Sequence, residues 1–205
     1  MLSAIRTIDQ FSTAIGKAFG WYILILTLGT CYEVFVRYVM NNPTDWNYDL
    51  SYNMYGASFI MAGAYTLSRN AHVRGDIIYR LLSERKQATI DLTLYVLFFF
   101  PGVSALTFAG WSYAAKSWRY HEVSIYSPVD IPIFPLKTLI PVAGALLLLQ
   151  GAAEVMRCIY CLRTGGWPQR AQDVEEMETA ILHEREFMAT HDEIEMAKGH
   201  AGEKA

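Results

Sequence analysis

Glu33 and Arg37 are the first residues along this chain that could do chemistry. Four positions apart, they share one helical face. They also end a long apolar run, where an ionisable group is costly and is therefore paired or functional. Two readings stay open. Arg37 can close an intrahelical ion pair and snorkel outward, or it can anchor a neighbouring helix or a partner protein. A second group is Asp45-Trp46-Asn47-Tyr48-Asp49. Acids at a helix start offset its dipole and cap free N–H groups, and Trp46 suits a membrane interface. A third is His72, Arg74 and Asp76, whose alternate spacing puts them on one side of an extended segment. That pattern predicts a local hydrogen-bonded cluster fixing a loop. The last group is Cys158 and Cys161. A zinc site needs four ligands and the chain has no second pair, so two packed free thiols are expected.

Other chemistry is missing. No Walker motif, glycine-rich phosphate loop or catalytic triad is present, so no enzymatic step is expected and no cofactor or metal is called for. A haem bundle needs axial histidines inside its helices, whereas His72 and His121 fall between apolar runs and His183, His191 and His200 near the C-terminus. A mildly basic body of net charge +3 joined to an acidic tail of net −6 is not a nucleic-acid signature.

The elements that must hold these groups are apolar and long. The chain of 205 residues is 53% hydrophobic and 18% charged, against roughly 25% charged in ordinary globular proteins. A helix needs about 20 residues to cross a hydrocarbon core, and four stretches qualify: about 18–40, 49–67, 92–115 and 136–162, the third interrupted by Pro101. The apolar runs are continuous rather than alternating, so the reading is an all-α membrane protein with four transmembrane helices in a domain spanning 18–163.

Before that domain, Leu2, Ile5, Ile8, Phe11, Ile15 and Phe19 recur every three or four residues. This predicts an amphipathic helix over 1–17 that either lies in the interface or simply begins helix 1, and it does not read as a cleavable signal peptide. Between helices 3 and 4, Pro128, Pro132 and Pro135 predict an extended, outward-facing loop. Residues 164–205 form an acidic tail, helical with a frayed end or disordered. Gly56-Ala57 and Gly63-Ala64, then Gly144 and Gly151, set small residues on single faces of helices 2 and 4. Such stripes let helix backbones approach, within the subunit or against another protein.

Charge sets the orientation. The N-terminal segment, the 68–90 loop and the exit of helix 4 carry ten Lys or Arg, against four (Arg37, Lys116, Arg119, Lys137) on the other side. The positive-inside rule then places both termini in the cytoplasm. A transporter acting alone needs polar groups or broken helices at the midplane, and these spans offer an occasional Ser or Thr. A packing subunit whose partner does the chemistry is expected. Two other classes stay open: a membrane anchor for an unrelated complex, and a small membrane enzyme.

At Phe35-Val36-Arg37-Tyr38-Val39-Met40-Asn41-Asn42, Trp46, Asp49-Leu50, Gly63-Ala64 and Ala71-His72-Val73-Arg74-Gly75-Asp76, the chain resembles the small membrane subunit of tripartite ATP-independent periplasmic (TRAP) transporters. Ser124, Pro132, Lys137, Ile140-Pro141 and Gln150-Gly151 fit the same pattern, over roughly residues 18–160. Asp49 stands where the family commonly has Glu, and Gly75 where it has an apolar residue. The resemblance implies a four-helix subunit of the bacterial inner membrane, embedded in lipid and bracing a large elevator-type permease. A periplasmic binding protein would deliver an organic acid or similar solute, with sodium held by the large subunit. It also implies that Arg37, Trp46, Asp49, His72, Arg74 and Asp76 serve subunit contacts and loop architecture, and Glu33 joins them as a structural polar position through its spacing from Arg37.

Overall fold

The computed structural model describes residues 1–70, 79, 81–125, 129–168, 185 and 188. The chain divides into two units, Met1–Ala171 and Gln172–Ala205. Of the second unit, Arg185 and Met188 are described, and both are helical; the acidic tail otherwise lies outside the described residues.

Among the described residues the first unit has four long helices: α1 (Leu2–Tyr38), α2 (Asn47–Ser68), α3 (Glu84–Tyr120) and α4 (Phe134–Thr164). No strand occurs among the described residues beyond an isolated antiparallel bridge between Val123 and Pro132. Among the described residues three helices, α1, α3 and α4, are long and apolar enough to cross a membrane. The second stretch forms a 22-residue helix, but its tyrosines, serines and asparagines keep it out of that class.

Of the two readings of the N-terminal segment, the continuous helix is what α1 follows: it runs for 37 residues without a break at residue 17. Nothing there forces a turn: the segment has no proline, and Gly16 lies close against Tyr65 of α2, where a Cβ would come within 2.4 Å of the tyrosine Cβ. Pro101 does not interrupt the third helix either. The residues before it, Tyr95–Phe99, open into a π turn in which the Phe100 N–H bonds the Tyr95 carbonyl. Proline has no N–H to give and crowds the carbonyl four residues back; a widened turn relieves both demands. Pro135 falls in the first turn of α4 instead of breaking it, since the N–H groups of a first turn have no partner within the helix. α3 and α4 accordingly leave residues 121–133 between them, a shorter stretch than 116–135.

Helix ends fall where the backbone reverses hand. Asn70 follows α2 at φ 55°, His121 caps α3 at φ 46° and Gly165 caps α4 at φ 85°. Left-handed residues at these positions let the final carbonyls find N–H partners, as Gly165 does by donating to the Cys161 carbonyl at 2.7 Å.

α4 packs against the other three helices, while α3 rests mainly on α4. The apolar core sits between α1, α2 and α4, where Met61, Ala64, Ala143 and Leu146 are buried against Ile15, Phe19 and Leu139. The small-residue faces are spent inside the subunit. Gly56 and Gly63 lie beneath Leu136 and Leu147 of α4. Gly144 and Gly151 receive Thr107 and Phe99 of α3, so closely that a Cβ would sit 2.2 and 2.3 Å from them. The π turn and Gly151 thus meet at one contact. Cys158 and Cys161 are buried and outside any disulfide, with the Cys161 thiol donating to the Glu84 carbonyl, and Cys31 is exposed.

Candidate functional site

Among the described residues the buried polar side chains fall into two layers on either side of the apolar core. On one side lie Glu33, Asn47, Asp49, Ser117, Ser124 and Lys137; on the other, Ser12, Ser68, Gln150, Glu154 and Arg157. The apolar core separates them.

In the first layer, Glu33 on α1 does more than pair with Arg37. Its Oε1 accepts from Arg37 Nη2 at 2.6 Å and from Nε at 3.0 Å, and its Oε2 accepts from both the N–H and the hydroxyl of Thr44. The Glu33 carboxylate therefore ties the α1–α2 turn to α1. Arg37 keeps half of its side chain exposed while Glu33 is nearly covered, so the pair is intrahelical and the cation still presents an edge outward. Trp46, at the start of α2, stacks on Tyr32 with ring centroids 6.4 Å apart and remains 38% exposed.

Asp49 corrects the expectation of a helix cap. No side-chain bond caps α2. The Asp49 carboxylate, 2% exposed, instead accepts from the hydroxyl of Ser124 in the α3–α4 loop. Its position on the first turn of α2 aims it at that loop, whose geometry is held by Ser124 N–H donating to the Ile131 carbonyl and Ile133 N–H donating to that of Glu122. Beside it, Lys137 donates to Glu122 at 2.5 Å and lies over the Tyr113 ring at 4.2 Å. The Lys137 hydrogen bond holds the Glu122 carboxyl below its ordinary range.

The second layer was hidden in sequence. Arg157 donates to Asp9 on α1 and to Glu154 one turn back on α4. Gln150 donates to Asp9 at 2.9 Å and accepts from Ser12 at 2.8 Å. Arg157 is 2% exposed, so one of the ten cations on that side of the chain is a core residue. The signal available beforehand was spacing: Asp9 and Ser12 share a face of α1, and Gln150, Glu154 and Arg157 share one of α4. His72, Arg74 and Asp76 lie outside the described residues.

Among the described residues no group of His, Cys, Asp or Glu is arranged to hold a metal. What the two layers can do chemically is clamp helix to helix and helix to loop.

The family model for the DctQ component of tripartite ATP-independent periplasmic transporters matches residues 26–160. The chain belongs to that family. As a DctQ component it is a transporter subunit, the small one of a TRAP system, from a family that works with a large permease and a substrate-binding protein. The family is not one of enzymes. The matched span contains the whole first layer and Ser68, Gln150, Glu154 and Arg157 of the second, while Asp9 and Ser12 lie before it. No curated protein matches the chain.

Proposed function

We propose that this chain is the rigid small subunit of a sodium-driven TRAP transporter, bracing the large elevator-type permease and helping to dock the binding protein that delivers an organic acid or similar solute. One observation carries the reading: among the described residues the buried polar groups form two layers parted by the apolar Met61, Ala64, Ala143 and Leu146, and the more central of them, Gln150, is taken up by Asp9 and Ser12, which leaves no continuous hydrophilic route for a solute or ion. Solute and sodium then belong to the partner, and this subunit binds no cofactor of its own. All four helices cross the bacterial inner membrane in this reading. At 1.5 Å per residue α2 spans about 33 Å, enough to cross; Asn47, Asp49 and Ser68 near its ends are buried, while Tyr48, Tyr52 and Tyr55 are exposed. Both termini lie in the cytoplasm, as the surplus of Lys and Arg on that side requires.

Arg37, Trp46 and the Asp49-held loop form the outward-facing end and supply contacts to the partners; His72, Arg74 and Asp76 shape the inward loop. The test is reversal of the exposed cation. Arg37→Glu weakens co-purification with the large permease, and uptake by the reconstituted complex falls with it. Intact complex with normal uptake removes Arg37 from the interface. Uptake by this chain alone in liposomes overturns the reading as a whole.

A further inference from the structure

Between the first turns of α1 and the end of α4 lies a cleft of about 440 Å³, within the range of small-ligand sites. Its floor is the Asp9–Arg157 pair, and its walls include Leu2, Arg6, Tyr160 and Trp167. Polar and apolar surface are mixed in it. Arg157 is fully engaged by Asp9 and Glu154, and Asp9 also accepts from Gln150, so the acid at the floor is already matched. Arg6 is different: it is exposed and has no ion-pair partner among the described residues. Nor does the Tyr160 hydroxyl have a hydrogen-bond partner there. Trp167 closes the rim, its indole N–H donating to Gln87 at 3.4 Å. A free guanidinium, a free hydroxyl and an indole beside apolar walls, at the end of two apolar helices, match the chemistry of a lipid headgroup.

We propose that this cleft binds the phosphodiester of a membrane phospholipid, with the Arg6 guanidinium and the Tyr160 hydroxyl as its donors. The phosphate accepts from both groups, the glycerol lies against Leu2 and Trp167, and the acyl chains run down the outside of α1 and α4. The lipid would lock the N-terminal turn of α1 onto α4 from the membrane side, while the Asp9–Arg157 pair does so from within. The proposal rests on this end of the bundle meeting a membrane surface, but not on any contact with the permease.

Native mass spectrometry of the full-length chain in detergent tests it, with phosphatidylglycerol, diacylglycerol and inorganic phosphate added separately. Phosphatidylglycerol is expected to remain bound at collision energies that strip diacylglycerol. Arg6→Gln weakens its binding about tenfold and Tyr160→Phe a few-fold, the scale of losing a charged and a neutral hydrogen bond. Arg6 makes no contact that folding needs, and an unchanged melting temperature of Arg6→Gln certifies the comparison. Equal retention by wild type and both variants overturns the site, as does equal retention of diacylglycerol. Displacement of the lipid by inorganic phosphate in the same concentration range shows a free-phosphate site and overturns the lipid assignment.

Discussion

Asp9 and Arg157, 148 residues apart, form a buried ion pair that joins the second turn of α1 to the penultimate turn of α4. Glu154 binds the other side of the same guanidinium. The first and last helices of the bundle are thereby fastened at one end by three charges, with Gln150 and Ser12 completing the hydrogen bonds. Breaking a buried pair by removing one partner costs about 3–5 kcal/mol, because the charge left behind has no compensation.

Arg157→Met strands two carboxylates and is expected to lower the melting temperature of the detergent-solubilised chain by roughly 6 °C or more. Asp9→Asn is milder, since Glu154 still faces the guanidinium. A melting temperature for Arg157→Met equal to wild type would show that the pair adds nothing.

Packing of α3 on α4 predicts a second series. Gly144→Val and Gly151→Val drive new atoms into Thr107 and Phe99, costing about 1–3 kcal/mol each and loosening α3. Gly20→Ala meets open space instead and leaves the isolated subunit as stable as wild type. Hydrogen exchange along α3 reads the difference; equal protection in all three variants counts against the glycine contacts as what seats α3.

The α1–α2 turn supplies a third. Glu33→Gln exchanges a carboxylate that accepts four hydrogen bonds for a neutral amide, and hydrogen bonds to a charged group are worth about 1.5–3 kcal/mol. Faster exchange of the Thr44 amide is expected, with little change at the far end of the bundle. Unaltered Thr44 protection would mean that the turn holds without Glu33.

The fourth concerns pH. Lys137 lowers the pKa of Glu122 in the folded chain relative to its ordinary value of 4.5. A lowered carboxyl pKa contributes stability that is fully present above that ordinary value and is lost as pH falls through the folded value. Protection of the Ser124 and Ile133 amides is therefore expected to hold from neutral pH to about 5 and to decline below about 4.5. In Glu122→Gln that decline disappears. A wild-type chain with no decline, or a variant that keeps it, rules out the Glu122–Lys137 pair as the sensor.

The helices were legible in sequence because continuous apolar runs of membrane length leave the backbone few ways to satisfy its own hydrogen bonds. The groups that clamp them were only half legible. Glu33 and Arg37 announced themselves by sitting four apart on one helix, a relationship that sequence spacing encodes directly. Thr44 as the second partner of Glu33 depends on where a turn folds back. Asp49 looked like a helix cap, and its role changed because the nearest donor in space is Ser124, 75 residues away.

Composition, apolar run length and local motifs by themselves determined that this is an all-helical membrane protein of the DctQ family. Whether the small-residue faces would meet each other or a partner, and whether Arg157 would be a surface cation or a core one, was left to tertiary structure. The physical reason is that burial and pairing belong to neighbours in space. A glycine or an arginine reads the same in sequence whatever lies opposite it, and only the packing of α1 and α3 on α4 supplies Asp9, Thr107 and Phe99 as those opposites.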